Sequence, residues 1–598
     1  MSSMETIYQS FLDAARKHSQ RTALLYKKEG KYSPITYGEL NDSVDAVAAG
    51  LRKLGIGKGD RVGIFSYNRP EWLMADLAAL KLGGVVVPIY HTLPAPVVRF
   101  IIKDSMIKLL FVENAELLSL IDGIRNRLPS LKTVVVFDDS QAESKSKFLR
   151  FEDVKKKSDS TIDTPITVDK DDVATIVYTS GTTGNPKGVI LTHNNIVTNT
   201  TSAIEVVHGN SHDVVVSYLP LCHMLERTCC CYSMLFLGGS IAFAENLTTI
   251  AQDVATIRPT IMLAVPRVLE KVHHEVTKRV MEGPGLQKIL VASAIRNLNT
   301  YANLKYRSQK VPLGLWIRHL FYDAVVGSKF RKIGGGKLRM VFSGGAPLDK
   351  KIAKVFYVLG FNILQGYGLT ETSPVVCCNT IEDNVLGTVG KPLEGVEVRI
   401  GKNSEILVKG PNVMKGYLNK PAETAKVIDK DGWFHTGDQG RFDKKGNLII
   451  TGRIKELIVT SYGANIAPAP IEAKITHSPY VEQAMIFGEK RKYLVALLVP
   501  HQESVEKYAG DNNIPFDDYP SLLESSKITE LIEHEIEEVN VGLAHHEQAR
   551  AFALIPEKFT IENGLLTPTL KLRRKMILKR YAKRILSLYK KPGKRNEN

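Results

Sequence analysis

Residues Tyr178 to Gly188 read Tyr-Thr-Ser-Gly-Thr-Thr-Gly-Asn-Pro-Lys-Gly: four hydroxyls (Thr179, Ser180, Thr182, Thr183), three glycines (Gly181, Gly184, Gly188) and Lys187 within eleven residues. A loop of this composition presents backbone N–H groups, hydroxyl donors and a point positive charge, which together suit a polyphosphate. The same residue types also build a plain solvated turn. A Walker A loop is excluded, because it needs Gly-x-x-x-x-Gly-Lys followed by Ser or Thr, whereas Lys187 stands between Pro186 and Gly188. That argues against a P-loop phosphotransferase. Gln365-Gly366-Tyr367-Gly368-Leu369-Thr370-Glu371 joins an aromatic ring, a hydroxyl and a carboxylate in one turn. The ring can stack on a base, and the carboxylate can hold Mg²⁺ against phosphates. Thr436-Gly437-Asp438 offers a carboxylate able to accept both hydroxyls of a ribose. Read alone, each of these two is also an ordinary turn, and Gly452-Arg453-Ile454-Lys455-Glu456-Leu457 is a charged connector.

These residues need strands and helices to position them. Val173-Ala174-Thr175-Ile176-Val177-Tyr178 is apolar and β-branched, so the first loop leaves the end of a strand. From about residue 36 to 260 strand-like and helical patterns alternate. Tyr37 to Lys53 and Trp72 to Leu82 carry helical spacing, while Arg61 to Ser66 and Gly83 to Ile89 read as strands. This alternation predicts α/β layers with mainly parallel strands. Residues 381–450 change to short strands separated by Gly, Pro and Asn, which predicts a small β subdomain. The junction is expected at Gly452 to Glu456. Beyond it a mixed α and β segment ends in a basic, helix-like tail over 571–598.

At 598 residues the chain exceeds one core. Its six cysteines (Cys222, Cys229, Cys230, Cys231, Cys377, Cys378) lack zinc-site or disulfide-framework spacing, so buried reduced thiols in a reducing compartment are expected. His208, His212 and His223 lie near the triple cysteine without completing a metal motif. Thr228 to Ala244 is free of charge but contains Gly238-Gly239-Ser240, which predicts two buried elements and a turn rather than a membrane span. The net charge of +16 comes from two segments. Residues 571–598 hold 12 Lys/Arg against one acid, and residues 271–339 hold 14 against three. Both interleave cations with apolar residues, which suits peripheral contact with an anionic membrane as well as a solvated basic face. No nucleic-acid motif accompanies the charge, so no nucleic-acid partner is expected.

In combination and order these segments resemble the adenylate-forming superfamily, which contains acyl-CoA synthetases, luciferases and peptide-synthetase adenylation domains. The resemblance runs over essentially the whole chain. Leu219 to Arg227, Ser343 to Leu348, Ser461 to Pro468 and Leu565 to Lys571 look most like the long-chain fatty acyl-CoA synthetases. The family's lysine near the C-terminus matches Lys571, although Leu570 stands where a glycine is usual.

The resemblance implies a large N-terminal AMP- and acyl-binding domain (residues 1–452), a hinge (453–456, at Lys455) and a smaller mobile α+β domain (457–598). It implies ATP-dependent activation of a long-chain fatty acid to acyl-CoA through an acyl-adenylate, releasing AMP and pyrophosphate. The alternative acids are medium-chain, aryl or other carboxylic acids. Thr179, Ser180, Gly181, Thr182, Thr183, Gly184 and Lys187 would grip phosphates, and Thr179 with Glu371 would hold Mg²⁺. Gly344, Gly345, Ala346, Gln365, Gly366, Tyr367, Gly368 and Thr370 would line the nucleotide, with Asp438 and Arg453 at the ribose. Lys571 would bridge carboxylate and α-phosphate, His223 would sit at the acyl mouth, and Gly463 would pass the pantetheine of coenzyme A. The location implied is cytoplasmic, peripheral on the inner face of the membrane, and a homodimer is compatible.

Overall fold

The computed structural model describes residues 6–138, 148–156, 166–179, 186–246, 249–282, 285–306, 310–462, 464–567 and 571–590. Local sequence rules account for the elements that carry the site. The helix Tyr37–Lys53 starts at Thr36, whose hydroxyl accepts from the Glu39 N–H while the Glu39 carboxylate accepts from the Thr36 N–H. This capping box satisfies two of the donors a helix start leaves open. Leu40, Val44, Val47, Ala48 and Leu51 then fall on one buried stripe. The helix Pro70–Lys81 is buried on nearly all sides, including Trp72 and Asp76. Burial of each large apolar side chain stabilises the fold by roughly 1.5–3 kcal/mol.

By packing, the chain divides into two units: Met1–Ile400 with Leu407–Thr436 and Phe442–Ile449, and Gly401–Ile406 with Gly437–Arg441 and Ile450–Asn598. The division therefore runs through the segment expected as one β subdomain. The strands of that segment, Glu397–Ile400, Glu405–Lys409, Phe434–Phe442 and Leu448–Arg453, form one four-stranded sheet.

The first unit contains two large sheets. One runs Gly416–Tyr417, Lys187–Thr192, Val173–Thr179, Val85–Ile89, Arg61–Phe65, Leu109–Val112, Thr133–Val136, Leu149–Arg150. From Val173–Thr179 onward its neighbours are parallel, and the two strands before that are antiparallel. The second sheet has nine strands. Its central run, from Ile363–Gly368 through Met340–Ser343, Ile261–Ala264, Val214–Ser217 and Ser240–Phe243 to Thr22–Lys28, is parallel. The charge-free stretch begins inside a π-helix (Leu225–Tyr232) and continues through a helix (Ser233–Leu237), a left-handed turn at Gly238 and the strand Ser240–Phe243. Among the described residues no helix is long and apolar enough to cross a membrane.

The second unit holds a three-stranded sheet, Val481–Phe487, Leu494–Pro500 and Ala549–Leu554, with helices that include Ser526–Val541 and Arg574–Leu588. In the basic tail helix, Ile577 and Ile585 are buried in a core with Val495 and Leu497, and Leu572, Tyr581 and Leu588 pack against it. Much of the tail's apolar character is thus spent inside the fold.

His193, fully buried at the start of the helix His193–Val206, accepts from the Ile7 N–H through Nδ1. Burial lowers its pKa to about 4. Between pH 6.5 and 4 the unfolded chain takes up a proton here that the folded chain refuses, so stability is retained above pH 6.5 and lost as the pH falls. This group alone is expected to remove about 3 kcal/mol on acidification to pH 4. Urea midpoints across that range, compared with His193→Asn, measure it; equal acid sensitivity of the two proteins would contradict the assignment.

Candidate functional site

The strands Val173–Thr179 and Lys187–Thr192 form an antiparallel hairpin whose last pair is Thr179 opposite Lys187. Ser180, Gly181, Thr182, Thr183 and Gly184 lie outside the described residues. The loop's two ends are therefore fixed by sheet pairing, with the Thr179 hydroxyl 3.5 Å from the Lys187 carbonyl.

Lys187 is held by groups the sequence did not single out. Its ammonium donates to Glu423 Oε2 at 2.8 Å and lies 4.8 Å from the centre of the Tyr417 ring. The hydrogen bonds from Lys187 and then Lys426 pull the Glu423 carboxyl down to about 2. The Tyr417 hydroxyl donates to Glu371 Oε1 at 2.9 Å. Tyr417 is placed by pairing with Val189, and Glu371 by the Met414 N–H on its carbonyl. Lys187 and Glu371, 184 positions apart in sequence, thus converge on one aromatic ring. Burial, and then the Glu371 charge, raise the Tyr417 hydroxyl, so it remains a donor. Tyr417→Phe is expected to lower kcat roughly ten- to a hundredfold, as loss of one hydrogen bond to a charged group implies. Steady-state kinetics with thermal melts check this; an unchanged kcat would remove Tyr417 from the site.

Ser343 and Gln365 are partners on adjacent parallel strands. Gly344-Gly345-Ala346 therefore follows the end of one strand and Gly366-Tyr367-Gly368 forms the end of its neighbour, at the strand ends where ligands of open α/β sheets bind. Gly345 has φ +83°, and a Cβ there has room. A Cβ on Gly368 would fall 1.7 Å from the Pro374 carbonyl oxygen, so close strand approach demands that glycine. Thr370 and Glu371 open the short 3₁₀ turn that follows.

His223 sits just before the π-helix, and its Nδ1 accepts from the Leu225 N–H at 3.2 Å, which leaves the ring proton on Nε2. The Leu225 side chain lies 3.4 Å from the position a Gly344 Cβ would occupy, so the His223 segment adjoins Gly344-Gly345-Ala346. All six cysteines are free. His208 pairs with Glu382 at 3.2 Å, and among the described residues the ligand atoms that gather at the triple cysteine are those of Glu226, Cys230 and Cys231, within 4.8 Å of one another, without a histidine. Burial pushes the carboxyl of Glu226, next to the triple cysteine, up to about 8.

In the second unit Arg453 clasps Asp438, with Nε 2.6 Å from Oδ1 and Nη2 3.4 Å from Oδ2. The clasp fixes the plane of a carboxylate that is almost wholly buried. Lys455 is exposed in the 3₁₀ turn Ile454–Glu456. Lys571 is exposed, and Thr567 anchors its backbone at both N–H and carbonyl. Gly463 lies outside the described residues.

Comparison with known proteins adds an independent line. A family model described as AMP-binding enzyme matches residues 11–418, and one described as AMP-binding enzyme C-terminal domain matches residues 455–593. The long-chain-fatty-acid–CoA ligase FadD15 of Mycobacterium bovis is 33% identical over 94% of this chain and 93% of its own length. Long-chain-fatty-acid–CoA ligase 5 of Mus musculus is 32% identical over 98% of this chain and 89% of its own. Among solved structures, the adenylation domain of a carboxylate reductase from Mycobacterium chelonae superposes with TM-score 0.78 at 23% identity, covering 99% of this chain and 92% of that one. An anthranilate CoA ligase in complex with anthranoyl-AMP gives 0.74 at 19%, covering 98% of each. At those identities the two structures establish the fold alone.

Proposed function

The chain belongs to the AMP-binding enzyme family, and from that premise we propose that it is an AMP-forming long-chain fatty acid–CoA ligase. The observation that carries the chemistry is the convergence of Lys187 and Glu371 on Tyr417, which sets a cation and a carboxylate beside the end of a hydroxyl-rich hairpin. The long-chain preference rests on the two named relatives, which match along nearly the whole chain.

In the first half-reaction an oxygen of the fatty carboxylate bonds to the α-phosphorus of ATP while the bond to the β-phosphate oxygen breaks, releasing pyrophosphate. In the second, the thiol of coenzyme A loses its proton to water, its sulfur bonds to the acyl carbon, and the bond from that carbon to the AMP phosphate oxygen breaks, so AMP leaves. The first step brings an anion to a polyanion, so fixed positive charge where charge develops is the main requirement. Lys187 supplies it at the departing phosphates, exchanging Glu423 for a phosphate oxygen. Lys571 supplies it between carboxylate and α-phosphate. The Asp438 carboxylate, set by Arg453, accepts ribose hydroxyls, and His223 borders the acyl end.

The donor set fits a hard cation. Glu371 uses one oxygen for Tyr417, and Thr179 adds a hydroxyl, both ligand types Mg²⁺ prefers. Bound there, Mg²⁺ would neutralise phosphate charge. The reading also includes peripheral contact with an anionic bilayer, in keeping with a substrate that partitions into lipid. The test is pyrophosphate release with Mg-ATP and coenzyme A across saturated acids from acetate to stearate. Acid-dependent release rising to long chains is expected. Release that ignores the acid sinks the proposal, and a maximum at aryl or short acids turns it into the alternative ligase.

A further inference from the structure

The helix Leu313–Tyr322 has no buried residue. Along it Leu313, Trp316, Ile317, Leu320 and Phe321 are exposed by 72, 45, 55, 48 and 57%. Their spacing places them on one broad face. The opposite side faces inward: the His319 ring stacks on Tyr301 at 3.7 Å between centroids, and Tyr322 packs on a small core with Leu298 and Val358. Five large apolar side chains turned to solvent on ten residues are not a solvated basic face.

We propose that this outward face docks on an anionic lipid bilayer, deepening the peripheral contact included in the ligase reading. Residues 310–337 hold six Lys/Arg (Lys310, Arg318, Lys329, Arg331, Lys332, Lys337) against one acid, Asp323. Asp323 is already bound by Arg331 through both oxygens. A face with bulky aromatic and aliphatic groups and cations alongside is the chemistry of an interfacial helix. A second copy of the chain is the weaker occupant, since a two-fold contact would bring the same excess positive charge face to face. The basic tail offers less: Ile577 and Ile585 of the helix Arg574–Leu588 are committed to the core, and the large apolar side chains it leaves exposed are Met576, Leu578 and Leu586, none of them aromatic.

The test uses the full chain without substrates, so its outcome is independent of the ligase reading. Co-sedimentation is measured with vesicles of phosphatidylglycerol and phosphatidylcholine in equal parts, and with phosphatidylcholine alone. The combined variant Trp316→Ser, Ile317→Ser, Phe321→Ser is expected to bind the anionic vesicles at least about tenfold more weakly, with thermal melting unchanged. Wild-type tryptophan fluorescence is expected to shift blue on binding, and Trp316→Phe to bind but lose the shift. The tail variant Lys575→Gln, Lys579→Gln, Lys583→Gln is expected to change binding by less than about threefold, where three surface-docked cations would be worth roughly a hundredfold. Wild-type binding by the triple serine variant overturns the proposal. So does equal affinity for neutral and anionic vesicles. Light scattering that shows a wild-type dimer broken by the triple variant, with vesicle binding intact, reassigns the face to a second copy.

Discussion

Lys571→Ala is expected to lower acyl-adenylate formation by about 10²–10³-fold while changing thioester formation from supplied acyl-AMP by no more than a few-fold. The asymmetry follows from where charge develops. In adenylation the attacking carboxylate and the α-phosphate are both anionic, and a cation between them acts chiefly in the transition state. In the thioester step the carbonyl is already activated and the nucleophile is sulfur, so the same cation has little left to stabilise. The local structure makes the substitution clean. The Thr567 N–H donates to the Lys571 carbonyl at 2.8 Å, the Lys571 N–H donates to the Thr567 hydroxyl at 3.0 Å, and Leu566 bridges Leu572. The first two use the backbone of residue 571 and the third that of its neighbour, so alanine keeps them. Thermal melting should therefore not move. Lys571→Arg should recover only part of the rate, because a planar fork does not replace a compact ammonium. Acid-dependent pyrophosphate exchange reads the first step, and coenzyme A consumption with synthetic acyl-AMP reads the second. Equal loss in both would show that Lys571 does not divide the half-reactions.

What the sequence disclosed, and what it did not, follows from the range over which each signal acts. Tyr37–Lys53 and Val173–Thr179 were legible because spacing and β-branching are local properties. The motif residues that come together across strands, Ser343 beside Gln365 and Thr179 opposite Lys187, were legible as ingredients but not as neighbours. Tyr417 and Glu423 were missed entirely. Each is a single residue outside a motif, and each matters because a short edge strand and the helix Pro421–Ala425 carry it to Lys187. Reading them in advance would have required knowing that Gly416–Tyr417 pairs with Val189–Ile190. The two basic segments show the same limit in the opposite direction. Composition made 571–598 and 271–339 look alike. Packing instead turns Ile577 and Ile585 inward and Trp316 and Phe321 outward, a distinction set by partners that lie far away in sequence.

Arg227 shows how a motif residue can be structural, and Arg227→Ala is expected to cost about 3–5 kcal/mol of stability. The guanidinium and the Asp76 carboxylate are both fully buried. Arg227 binds Asp76 through two nitrogens, donates to the Thr175 hydroxyl at 2.9 Å, and lies over the rings of Trp72 and Tyr232 at 5.3 and 5.4 Å. The Tyr232 hydroxyl donates to the same carboxylate at 2.6 Å. Burial pushes the Asp76 carboxyl up, and the Arg227 charge opposes it. Removing the arginine strands a carboxylate in an apolar interior. Removing both charges with volume retained, Arg227→Met with Asp76→Leu, should therefore restore most of the loss, so the two changes would be strongly non-additive. The link to function is positional. One guanidinium ties the helix Pro70–Lys81 to Thr175, in the strand that ends at Thr179, and to the π-helix that follows His223. The single variant should accordingly lose activity at temperatures below its melting transition, whereas the double variant should regain stability first and activity only in part. Denaturant unfolding of the wild type, Arg227→Met, Asp76→Leu and the double variant measures the coupling, with Arg227→Ala unfolded alongside. A cost below about 1 kcal/mol for Arg227→Ala, the size expected of a surface pair, would mean that the pair does not anchor the site.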